Sequence, residues 1–190
     1  MLLMAAISTV YASDQDLMVA DDNQTTVVNE SALSFALAGE PTGELTAPEK
    51  EGLLYMVEEE KLAADVYSAL NDKWNLRAFD NIGRAELTHE AAVQTLLERY
   101  SLTNPKKSAG EFSNATLQRL YDGLVIRGKT SVEDALKVGA AIEEIDILDL
   151  EERMAQTKNE DILLVYSNLK RGSENHLRTF GNNLERRLVS

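Results

Sequence analysis

The stretch RAELTHEAAVQTLLERY, Arg84 to Tyr100, decides the fold. Its residues are good helix formers, and with Ile82 just before it, apolar side chains recur on one row at three- and four-residue spacing: Ile82, Val93, Leu96 and Tyr100. Glu86 and His89 stand on that same row, where a helix facing a core shows apolar groups. The chain has only two histidines, and this is one of them. A carboxylate and an imidazole aimed at the interior need partners, because an unpaired buried charge costs several kcal/mol or more.

Three further segments carry comparable rows. Leu53, Val57, Glu60, Ala64 and Tyr67 lie on a first helix, opened by Thr46 with Glu49 as a capping box and by Pro48 in the first turn, and running to about Leu70 or Asn71. The second helix is predicted to be capped by Asp80 and to end near Tyr100. After a loop, a short helix from Asn114 closes at Asp122-Gly123. A third long helix starts at Ser131 with Asp134 and reaches about Ala155, on the row Leu136, Ala140, Glu143, Ile147, Leu150, Met154. The fourth runs from Asn159 or Asp161 towards Leu188, on the row Ile162, Tyr166, Leu169, Ser173, His176, Phe180. No strand-like alternation of useful length is present. The expectation is an all-α fold over 46–190. Short links joining helices one to two and three to four, with a long crossover between two and three, give the connectivity of a ferritin-like four-helix bundle.

Composition agrees. With 190 residues, 44% of them hydrophobic, the chain can build one sizeable core, and three prolines leave helices uninterrupted. A net charge of −13 speaks against a nucleic-acid groove. The lack of cysteine excludes disulfides, thiolate metal sites, iron–sulfur clusters and thiol catalysis. Residues 1–12 form an apolar run ending in Val10-Tyr11-Ala12, like a signal-peptidase site but without a leading Lys or Arg. It is too short for a stable membrane span. The reading is an exported protein, periplasmic or extracellular, with a cytoplasmic one as the alternative. Residues 13–45 are acidic and polar and read as a largely irregular arm, with a short helix near Ala32–Ala38.

In the four rows the only charged or ionisable exceptions are Glu60, Glu86, His89, Glu143 and His176. On helix three Glu144 is the alternative to Glu143, because a second apolar row competes there. No Lys or Arg shares these rows. Two divalent ions would balance three carboxylates and two neutral imidazoles, with one hydroxide bringing the sum near zero. Glu86 and His89 at i, i+3 reach the same site. Oxygen and nitrogen donors without sulfur suit Fe or Mn, with Zn as a substitute.

The segments EEEKLAADVY (58–67), AELTHEAAV (85–93), GAAIEEIDILDL (139–150) and GSENHLRTF (172–180) resemble an uncharacterised, often exported prokaryotic branch of the ferritin-like superfamily, over Glu44 to Leu188. Glu60 with Ala63 and Tyr67 is similar to the first helix of rubrerythrins, and Glu86-x-x-His89 to the superfamily's metal motif. Many di-iron members carry a second Glu-x-x-His on helix four, whereas Ser173 stands three residues before His176 here. The remaining five-ligand set is similar to that of manganese catalases.

The resemblance implies two Fe or Mn ions per chain, an oxidoreductase acting on peroxide or dioxygen, and a homodimer. Glu60 and His176 would be terminal ligands, His89 terminal on the other metal, and Glu86 and Glu143 bridging or chelating. Tyr67 and Tyr166 would donate hydrogen bonds near the ligands or gate access, with core aromatics as the plainer reading, and Asp146 is a candidate to orient an imidazole. A non-catalytic metal buffer, carrier or sensor is the alternative.

Overall fold

Thr46 opens the first long helix as its sequence predicts. Glu49 N–H donates to Thr46 Oγ1, and Thr46 N–H donates to a Glu49 carboxylate oxygen at 2.7 Å. The other Glu49 oxygen accepts from Thr157 and Asn159, so one carboxylate also anchors the turn between the last two helices.

The computed structural model describes residues 17–20 and 25–188, and the signal-peptide-like run at 1–12 lies outside them. Among the described residues there are six helices and one small antiparallel sheet. β1 (Met18–Ala20) pairs with β2 (Thr26–Val28), Met18 opposite Val28. Then follow α1 (Glu30–Gly39), α2 (Ala47–Trp74), α3 (Arg77–Arg99), α4 (Ala115–Gly128), α5 (Val132–Gln156) and α6 (Glu160–Leu188). The fold is all-helical apart from that sheet, and no described helix is long and apolar enough to cross a membrane.

Several predicted boundaries move. α2 continues to Trp74, where Asn75 takes a left-handed conformation (φ 49°) that asparagine tolerates and that ends the helix. α3 starts at Arg77 without a side-chain cap, and Asp80 pairs with Arg84 within the helix instead. α4 is capped by Asn114 as expected but runs through Asp122-Gly123 to Gly128, since a helical glycine costs only about 1 kcal/mol against alanine. The arm is less irregular than its polarity predicts. Asn29 caps α1, whose Leu33, Ala36 and Leu37 are buried on one face. Leu17 N–H donates to Asn168 and Val28 N–H to Thr88, which lays the small sheet across α3 and α6.

The four long helices form a closed cycle of neighbours: α2 packs on α3 and α5, and α6 packs on α5 and α3. Their apolar residues fall into two clusters. One holds Leu53, Val57, Val93, Leu96, Leu150, Ile162 and Leu169; the other holds Leu62, Val66, Tyr67, Phe79, Ile82, Leu136, Ile142 and Phe180. Going along the chain, α2 and α6 pass from the first cluster to the second, while α3 and α5 pass from the second to the first. α3 and α5 therefore run the same way, and residues 100–131, including α4, must carry the chain back. On every long helix the switch between clusters falls at the polar positions of the row. The core is split at that level.

Candidate metal centre

Glu60 on α2, Glu86 and His89 on α3, Glu143 on α5 and His176 on α6 meet at this split, each no more than 2% exposed. Glu144 is exposed, so the helix-three row passes through Glu143. Glu86 stands in the middle. One oxygen lies 2.8 Å from His89 Nδ1 and the other 2.8 Å from His176 Nδ1. Glu60 approaches His89 Nδ1 at 3.5 Å, and Glu143 approaches His176 Nδ1 at 3.6 Å. The imidazoles stack, with centroids 5.3 Å apart and planes 20° from parallel. Glu60 thus pairs with His89 and Glu143 with His176. Each close pair joins two helices that pack directly on one another, α2 with α3 and α5 with α6.

These contacts are close without being well-directed hydrogen bonds. All four ring nitrogens, Glu60 Oε1 and Glu86 Oε1 are buried and lack a hydrogen-bond partner. Buried polar atoms are satisfied in about nine cases of ten or more, so a convergence of orphaned donors calls for a further group. Glu86, His89 and His176 each offer one atom, all within 4.8 Å of one another, which is the spacing of ligands around a cation. Oxygen and nitrogen donors of this kind fit Fe, Mn or Zn.

Electrostatics point the same way. Burial lifts Glu60 to about 7 against the pull of His89, and burial with the Glu86 charge lifts Glu143 to about 7. Burial pushes Glu86 up too, but the facing imidazoles outweigh it and hold that carboxyl below the ordinary range. Both imidazoles are held up despite burial, chiefly by Glu86, with His176 at about 10. Without a cation the cluster keeps itself near neutral by retaining protons.

Around the five residues, Tyr67 donates to Glu143 Oε1 at 2.6 Å. Tyr166 is buried but its hydroxyl reaches none of the ligands. Asp146 does not orient an imidazole. It accepts from Ser173 Oγ at 2.5 Å, because α5 presents it to the serine one turn before His176. Sequence periodicity missed Glu59, which is 3% exposed with Oε2 unpartnered, and missed the role of Glu58, which accepts from Ser113 and Asn114 N–H at the start of α4. Three consecutive glutamates point about 100° apart, so no single row contains them. The only hint is their position in the middle of an apolar helix.

Fold and site together define a class: an all-helical protein with a buried Glu/His cluster at the centre of four long helices. The chain belongs to the family described as uncharacterized protein domain (DUF2202), which matches residues 49–189, from the first turn of α2 through α6. It is 52% identical over 142 residues to uncharacterized protein MJ0754 of Methanocaldococcus jannaschii, covering 74% of this chain and 77% of that protein. The crystal structure of hypothetical protein MJ0754 superposes with a TM-score of 0.76 at 51% identity, covering 77% of this chain and 85% of the other.

Proposed function

We propose that the chain is a ferritin-like four-helix bundle holding two Fe or Mn ions, and that it works as an oxidoreductase on peroxide or dioxygen. One observation carries the reading: a buried glutamate offers one oxygen to each of two stacked imidazoles whose ring nitrogens have no hydrogen-bond partner. In this reading Glu60, Glu86 and His89 would hold one ion, and Glu86, Glu143 and His176 the other. Two such ions supply electrons in pairs, which is what reduction or disproportionation of peroxide needs. Tyr67 fixes the orientation of Glu143 through its phenol. The apolar clusters on both sides exclude bulk water from the donors. A polar groove of about 470 Å³ between α3 and α6 has His176 in its wall beside Asn81, Asn175 and Arg178.

The test is metal content of protein produced with Fe and Mn, followed by peroxide consumption and oxygen uptake. About two ions per chain, lost in Glu86→Ala and His89→Ala, are expected, with turnover in the loaded protein. No metal above background refutes the centre. Bound metal without turnover refutes the enzyme and leaves a buffer, carrier or sensor.

A further inference from the structure

Glu60, Glu86 and Glu143 leave two divalent ions one negative charge short, and the α6 position one turn before His176, from which a carboxylate could close the set, holds Ser173. The structure fills that place from another helix. Ser173 is fully buried, and its hydroxyl donates to Asp146 Oδ2 at 2.5 Å and to Leu169 O at 3.1 Å. Asp146 therefore hangs over the spot that a longer side chain on α6 would reach from the serine's position. It lies three residues after Glu143, so both carboxylates project from one face of α5 into the split core. Asp146 is only 5% exposed, and its Oδ1 has no hydrogen-bond partner.

We infer that Asp146 is the sixth ligand of the centre, supplied from α5 where α6 carries a serine, with Ser173 as the residue that positions it. This rests on the two-ion reading above and changes its composition. Four carboxylates and two neutral imidazoles meet two divalent ions with no net charge, so no hydroxide is required for balance. The carboxylates then number two on α5 and none on α6. A serine in place of a glutamate on α6 makes room for the shorter aspartate to cross from its neighbour.

The deciding experiment compares wild type, Asp146→Asn, Ser173→Ala and the double variant Asp146→Asn/Ser173→Glu, all as full chains. Manganese stoichiometry is read by elemental analysis and affinity by chelator competition. Asp146→Asn keeps the shape and the bond from Ser173. It is expected to drop from two ions to about one, or to lose affinity at least tenfold, while its metal-free melting temperature stays close to that of wild type because the amide keeps the shape and the bond. Ser173→Ala should weaken binding by about tenfold, the usual effect of releasing a ligand from its support. The double variant should regain two ions, since the introduced glutamate would supply the missing carboxylate from α6. A crystal of the manganese-loaded wild type should place an Asp146 oxygen about 2.0–2.2 Å from an ion. Two ions bound as in wild type by Asp146→Asn, or a loaded crystal with Asp146 touching only Ser173, overturns the inference and leaves the five-ligand centre intact. A wild type that binds no metal defeats the two-ion reading itself.

Discussion

Gly172 is where the smallest change should disturb the centre most. It lies on α6 against His89, and a Cβ added there would stand 2.7 Å from both Cε1 and Nε2 of the imidazole and 2.8 Å from Met18 Cε. Carbon contacts relax to about 3.5–4.0 Å, so Gly172→Ala must open roughly 1 Å. The Met18 methyl can swing aside. The His89 ring cannot, being fully buried and stacked on His176. Overpacking of this kind costs about 1–3 kcal/mol, against about 1 kcal/mol gained by replacing a helical glycine with alanine. The expected net is a loss of about 0–2 kcal/mol in the metal-free protein. Displacing one ligand should also weaken metal binding by about 10–100-fold, the range seen when ligand support is disturbed. Gly181→Ala on the same helix is the control, because its Cβ meets nothing within 4 Å. It should stabilise by about 0.5–1 kcal/mol and leave metal binding alone. Thermal melts without metal and chelator competition with manganese read both effects. If Gly172→Ala binds metal like wild type and melts as high as Gly181→Ala, the close approach of His89 to α6 is not what sets the site.

Tyr67→Phe removes the phenol that donates to Glu143 and to Gly139 O, and should cost about 1–2 kcal/mol and some tenfold in metal affinity; unchanged affinity would mean that Glu143 needs no such support. Glu143→Gln should lose metal while Glu144→Gln, on the exposed face, stays within about 0.5 kcal/mol and binds normally; elemental analysis of the pair decides which glutamate faces inward in solution. In chelator, stability should fall as pH rises from about 5 to about 9. Glu60 and Glu143 at about 7 and His176 at about 10 all lie above their ordinary 4.5 and 6.5, so each group's contribution is complete below the ordinary value and is lost as pH climbs through the raised one. Glu86, shifted down from 4.5, opposes this only below that ordinary value. Melting curves that are flat or rise over this range would contradict the proton-sharing picture, and metal loading should reverse the trend by displacing those protons.

The helices were legible because their signals are local. Thr46-x-x-Glu49, Asn114 and Ser131 act as caps as their spacing predicts, and the inward rows follow from helical periodicity. Glu86 and His89 announced themselves by standing on such a row. The limits of the reading were equally physical. Asp80 had the residue type of a cap but sits within the first turn of α3, and cap chemistry alone does not fix which residue starts the helix. The short helix near Ala32–Ala38 is α1, whereas β1 and β2 were hidden in an acidic arm because their order depends on Asn168 and Thr88, both distant in the chain. Asp146 was visible as a polar residue near the row. Its partner was not, because the Ser173 hydroxyl comes from another helix.

Taken alone, the sequence determined the four inward faces, the ionisable groups on them, and a composition that excludes sulfur chemistry and a nucleic-acid groove. Those are properties of single helices and of side-chain inventory, and periodicity carries them. Only the tertiary structure decided that Glu60 serves His89 and Glu143 serves His176, that Glu86 lies between the imidazoles, and that Ser173 reaches Asp146. Those pairings depend on how far each helix slides along its neighbour. Packing of the two apolar clusters sets that register, and no residue within one helix encodes it.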